Sequence, residues 1–142
     1  MVERKKKNIL LSTDKRKLQI KVIHKFLTES YWCSGIPLDI VKTQIKNSFC
    51  AGLYNDSEQI GFARVVTDYT SHAYLCDVFI LENYRDKGLS KMLMEYVFKH
   101  PKLKKIRAWR LATRDAHGLY TKYGFTPEIN PERLMVRKTK TW

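Results

Sequence analysis

YRDKGLSKML, residues 84–93, sets a single glycine between a charged turn and a run whose apolar residues recur at helical spacing. AYLCDVFIL (73–81) stands just before it, apolar enough to be a central strand buried on both faces. The pair therefore predicts a strand, a tight loop and a helix starting at Leu89, with Leu89, Met92, Leu93, Tyr96 and Val97 on its apolar face and Pro101 ending it. The first N–H groups of such a helix have no partner within the helix, and its dipole adds positive charge there. A glycine lets the backbone approach a ligand closely, and Arg85 and Lys87 add cationic donors. The loop is built for a phosphate or pyrophosphate, although it is neither a Walker loop nor a GxGxxG turn. The plainer alternative is a polar surface loop.

Working outward, NILLS (8–12) reads as a strand, and STD (12–14) offers N-caps for a helix from about Lys15. SGIPLD (34–39) breaks the chain before a second helix to about Asn47, marked by Leu38, Val41 and Ile45. FCAGLY (49–54) and IGFARVVTD (60–68), joined by NDSEQ (55–59), form a hairpin, and YTSH (69–72) turns into the strand at 73–81. KIRAWRLAT (105–113) is a further strand, DAHGLYTKY (115–123) a short helix stopped by Gly124, and LMVRK (134–138) a last strand. An antiparallel meander followed by a strand–helix–strand crossover predicts an α/β (α+β) fold with a mixed, mostly antiparallel sheet and helices on both faces.

The 142 residues predict one domain over 1–142, with the basic residues 1–7 as a flexible terminus. No apolar run approaches the roughly 20 residues of a membrane span, so a cytoplasmic protein without membrane contact is expected. Cys33, Cys50 and Cys76 are widely spaced and read as reduced thiols; with four scattered histidines they predict no metal site. The net charge of +13 is uneven. Residues 1–25 carry nine Lys/Arg and two acids, residues 26–98 six and nine, and residues 99–142 twelve and three. Basic ends flanking a near-neutral middle attract polyanions, or else serve as a solubilising surface.

RDKGLS resembles the [Q/R]-x-x-G-x-[G/A] loop of the GNAT superfamily of N-acetyltransferases, matching at Arg85 and Gly88, with Ser90 where Gly or Ala is usual. DAHGLYTKYGF (115–125) resembles the same family's A-x-x-L-Y-x-K-x-G-F segment at Ala116, Leu119, Tyr120, Lys122, Gly124 and Phe125. The resemblance covers about residues 49 to 138 and implies a small single-domain, bacterial-type member.

It implies acetyl-CoA as cosubstrate, with the pyrophosphate on the loop Arg85, Asp86, Lys87, Gly88, Leu89, Ser90 and Lys91. The pantetheine arm would lie along a splayed strand at Val78, Phe79 and Ile80. It further implies Tyr120 as general acid to the leaving sulfur. No base is invariant in the family. Asp77, a carboxylate inside an apolar strand, is the candidate here, against a structural pairing with Arg64, Arg110 or a backbone N–H. Glu82 and His117 are weaker candidates. Tyr31 and Trp32, beside the SG break, are candidates for an acceptor wall, or caps of the core.

The partners expected are acetyl-CoA and an amine acceptor, in a monomer or a homodimer. Two other functions stay open. One is a catalytically inert acyl-CoA sensor. The other is nucleic-acid or ribosome binding through ERKKK (3–7) and KHPKLKKIR (99–107), although no nucleic-acid motif is present and no aromatic is interleaved with the lysines.

Overall fold

A computed structural model describes residues 3–139. The chain divides into two compact units, residues 1–111 and 112–142.

The first unit holds a six-stranded sheet in the order β1 to β6: Arg4–Lys6, Ile9–Ser12, Phe49–Asn55, Glu58–Thr67, Ala73–Ile80 and Trp109–Arg110. Neighbours from β1 to β5 are antiparallel, and β5 and β6 are parallel, as the crossover requires. Three helices accompany the sheet: α1 (Ile20–Glu29), α2 (Leu38–Lys46) and α3 (Leu89–Phe98). Ile23 and Leu27 of α1, with Val41 and Ile45 of α2, bury against Cys50, Phe62 and Phe79 on one face of the sheet. Strand alternation turns Ala51, Leu53, Ala63 and Val65 to the other face, all fully buried. α3 packs on β3, β4 and β5, presenting Leu93, Met94 and Val97 without exposure. The fold class read from the sequence is the one observed.

Three elements differ from the sequence reading. Arg4–Lys6, read as part of a flexible terminus, form the edge strand β1, paired with Ile9–Leu11 through a turn at Lys7 with φ 54°. Met1 and Val2 lie outside the described residues. The helix expected from Lys15 begins at Ile20, after a 3-10 turn at Lys15–Lys17 that Asp14 caps. The strand expected over 105–113 shrinks to Trp109–Arg110, which pair with Ala73 and Tyr74 at the start of β5.

In the second unit, α4 spans His117–Thr121, shorter than the expected 115–123, and Gly124 takes φ 88° beyond its end. Residues 134–138 do not form the expected strand: among the described residues they have no ladder partner, and Leu134, Met135 and Val136 are exposed. A short apolar run cannot make a strand without a neighbour.

Candidate functional site

The charged loop begins where β5 ends. Arg85 is anchored by its Nε, which donates to the Ile80 carbonyl at 3.1 Å, and Lys87 Nζ sits 5.5 Å from the centroid of the Tyr84 ring. Asp86 has φ 62°, and Gly88 has φ 75° and ψ 11°, both left-handed. Gly88 is the N-cap of α3, so the chain must turn sharply there, which glycine does without steric cost. No side chain caps this helix and no acid stands in its first turn. The first N–H groups of such a helix have no acceptor within the helix itself, and a Cβ built on Gly88 would meet nothing within 4 Å.

β5 itself is irregular near the stretch where the resemblance implies a splayed strand. Between the pairs Phe62–Phe79 and Arg64–Cys76, β4 spans two residues and β5 three. The extra residue is a bulge, and Asp77 sits in it with φ 54°, a conformation that aspartate tolerates better than most side chains. The Leu81 N–H donates to the Ile60 carbonyl on the β4 side at 2.8 Å. Alternation then turns the backbone of Val78 and Ile80 to the other edge, where the sheet ladder with β6 stops at Tyr74. An extended polar chain could pair there as a strand.

Asp77 is 5 % exposed and both its oxygens are engaged. Arg64 Nε donates to Oδ2 at 2.8 Å, and Trp32 Nε1 donates to Oδ1 at 2.9 Å. Arg64 Nη1 also donates to Ser48 Oγ at 3.1 Å, and Cys33 Sγ lies 3.9 Å from Asp77 Oδ1. Burial works against the Arg64 charge, but its surroundings, with the Asp77 carboxylate foremost, together hold the guanidinium above its ordinary pKa. The pairing with Arg64, weighed from the sequence as the alternative to catalysis, is present. Ser48 and Cys33 were not foreseen in this cluster, since Cys33 stands 44 residues from Asp77 and no spacing announces it. The αL-tolerant aspartate within an apolar strand was the one local signal of the bulge.

Burial is also the main force on the thiols, pushing Cys33 and Cys50 up to about 11 and Cys76 up to about 12. They stay protonated near neutrality and are poor nucleophiles. Among the described residues no group of His, Cys, Asp or Glu could hold a metal ion, and no helix is long and apolar enough to cross a membrane.

The aromatic wall runs outward from the core. Phe79 stacks on Phe26 with centroids 4.0 Å apart, Phe26 approaches Trp32 at 6.1 Å, and Trp32 meets Tyr31 edge-on at 5.1 Å. Trp32 and Tyr31 remain 40 % and 55 % exposed. In the second unit Tyr120 is nearly buried, its ring 5.9 Å from that of Phe125, and its carbonyl accepts from the N–H groups of Tyr123 and Phe125. The Thr113 hydroxyl accepts from the Ala116 N–H at 3.0 Å just before α4.

Removing the Asp77 charge while keeping its shape tests the ion pair. Asp77→Asn leaves Arg64 buried without a counterion, and chemical denaturation is expected to show a loss of about 3 kcal/mol. A change below about 0.5 kcal/mol would mean that the pair is not holding the bulge.

Comparison with known proteins places this geometry. The family profile described as "Acetyltransferase (GNAT) domain" matches residues 46–127, more than half of the chain. A crystal structure from Xanthomonas campestris pv. campestris, described as belonging to the GNAT family, is 46 % identical, with a TM-score of 0.89 over 92 % of this chain and 93 % of that one. A Gibberella zeae protein, provisionally named an acetyltransferase, is 27 % identical over 106 residues; the match spans 61 % of this chain and only 60 % of that protein's length. A GNAT family acetyltransferase from Elizabethkingia anophelis with acetyl-CoA bound shares the fold at a TM-score of 0.65 and 17 % identity, over 85 % of this chain and 78 % of that one. The charged loop, the bulged strand and α4 all lie inside the matched profile, and the chain belongs to the GNAT acetyltransferase family.

Proposed function

We propose that this chain is an acetyl-CoA-dependent N-acetyltransferase that passes the acetyl group directly to an amine. The observation that carries the reading is the uncapped start of α3 behind Gly88, continuous with the open edge of bulged β5. The N–H groups of Leu89, Ser90 and Lys91 face the pyrophosphate, with the cations of Arg85, Lys87 and Lys91 around it. Asp86 turns the loop with its left-handed backbone. Val78 and Ile80 pair with the amides of the pantetheine arm as a neighbouring strand would, and Phe79 anchors that edge in the core.

Acetyl-CoA supplies a thioester whose C–S bond breaks as the amine's N–C bond forms. Tyr120 donates its phenolic proton to the departing thiolate. The attacking nitrogen must lose a proton to water or a nearby base. Asp77 contributes by position: its pairing with Arg64 sets the bulge that exposes the Val78 backbone, and its bond to Trp32 fixes the aromatic wall. Tyr31 and Trp32 line the acceptor side, where their faces favour a cationic or aromatic amine.

The reading is tested by incubating the protein with acetyl-CoA and pools of polyamines, amino sugars, aromatic amines and lysine-containing peptides, following free thiol. Thiol release that depends on one amine class, with mass spectrometry showing the acetylated product, is expected. Acetyl-CoA binding without turnover across all pools would favour an acyl-CoA sensor.

A further inference from the structure

At the end of the sheet opposite the loop, β2 and β4 finish and β3, β5 and β6 begin. Basic segments far apart in sequence converge there. Lys15, in the 3-10 turn after β2, donates through Nζ to the Lys46 carbonyl at the end of α2 at 3.2 Å. The His100 ring, just past α3, meets the Phe49 ring at the start of β3 at 5.0 Å. The Arg107 N–H bonds the Thr70 carbonyl at 2.8 Å, tying the 99–107 segment to the turn between β4 and β5. Lys99, Lys102, Lys104, Lys105 and Arg107 are all exposed, and no acid occurs from residue 99 to 114. The acids at this end are engaged: Asp14 pairs with Arg16 at 2.9 Å, Asp68 accepts from the Thr70 and Ser71 N–H groups within its own turn, and Glu3 accepts from the Ser12 hydroxyl at the end of β2.

The fold also supplies what the lysine-rich sequence lacks. Tyr69, beside Thr70, is 39 % exposed and holds φ 68°. That backbone conformation suits Gly or Asn, and a bulky ring kept there at a cost points to a use for the ring. None of the exposed large apolar residues described lies within 15–17 or 99–107, so nothing on these segments would insert into a bilayer. Among the described residues the basic segments 15–17 and 99–107 hold 3-10 turns and no α-helix that could enter a duplex groove.

We propose that this basic end binds single-stranded RNA, its lysines along the phosphate backbone and Tyr69 stacked on a base. The surface lies away from the acetyl-transfer loop, so its test is independent of that function.

Fluorescence anisotropy with a labelled uridine oligoribonucleotide of about 20 nucleotides, from about 50 to 200 mM salt, reads it directly. Contact with about five phosphates gives a slope of log K against log salt near −3.5, at about 0.7 per phosphate. Lys104→Gln/Lys105→Gln is expected to lower affinity at least about fivefold and to flatten the slope by about 1.4. The charge-matched pair Lys21→Gln/Lys25→Gln, exposed on α1, is expected to change it less than about twofold. Tyr69→Asn keeps the turn, removes the ring and is expected to cost at least about fivefold. Equal losses in both lysine pairs would reduce the effect to net charge and overturn the proposal. So would an unchanged affinity in Tyr69→Asn, equal or tighter binding to duplex DNA or phosphatidylserine vesicles, or no RNA binding at low salt.

Discussion

Gly88→Asp is expected to weaken acetyl-CoA binding at least about tenfold while leaving the protein folded. The backbone there is left-handed, and aspartate is among the side chains that tolerate it. The space before the glycine is open, so the new side chain clashes with nothing in the protein. What it meets is the ligand: a carboxylate placed beside the pyrophosphate on the helix's orphan N–H groups. At about 5 Å and an effective dielectric of about 20, one such pair of like charges repels by about 3 kcal/mol. Salt and water remove much of this, and about 1.4 kcal/mol suffices for a tenfold change. Gly88→Asn separates the causes, having nearly the same shape without the charge, and should bind within about threefold of the parent. Equal losses in both variants would mean that backbone geometry alone was at stake. Unchanged affinity in Gly88→Asp would place the cofactor elsewhere.

Tyr120→Phe is expected to lower kcat by about a hundredfold with little change in acetyl-CoA affinity. Proton transfer by a positioned side chain contributes about 10²- to 10⁴-fold, and the phenol is the one group this substitution removes. The ring itself stays nearly buried against Phe125, so packing in the second unit is preserved. The split between kcat and affinity is the diagnostic, because a residue that only packs its helix would change both or neither. Full activity in Tyr120→Phe would take the tyrosine out of the mechanism.

Much of the architecture was legible because its signals were local. The hairpin of β3 and β4 followed from two apolar runs around a polar turn, and α3 from an apolar stripe behind a glycine. The parallel pairing of β5 and β6 followed from the helix between them. What could not be read depends on pairing that composition does not announce. Arg4–Lys6 become a strand because Ile9–Leu11 fold back on them, while their own composition predicts a solvated tail. Residues 134–138 carry the apolar run Leu134–Val136 expected of a strand but have no ladder neighbour among the described residues. Asp77 could be weighed as a base or as a structural anion. Only the fold shows Arg64 on one oxygen and the Trp32 indole on the other, joining the candidate acceptor wall to the bulge. The gathering of Lys15, Lys46, Lys99 and Arg107 with Tyr69 at one end of the sheet is likewise a product of topology.

The central claim is that the open edge of β5 and the uncapped start of α3 together hold acetyl-CoA. Isothermal titration of the protein with acetyl-CoA, alongside desulfo-CoA and inorganic pyrophosphate, tests it most directly. The account predicts micromolar, one-to-one binding of both CoA compounds. Pyrophosphate should bind far more weakly, because it reaches the loop but not the strand edge. Absence of heat with acetyl-CoA, confirmed by equilibrium dialysis, would contradict the assignment of the loop and strand as its cradle.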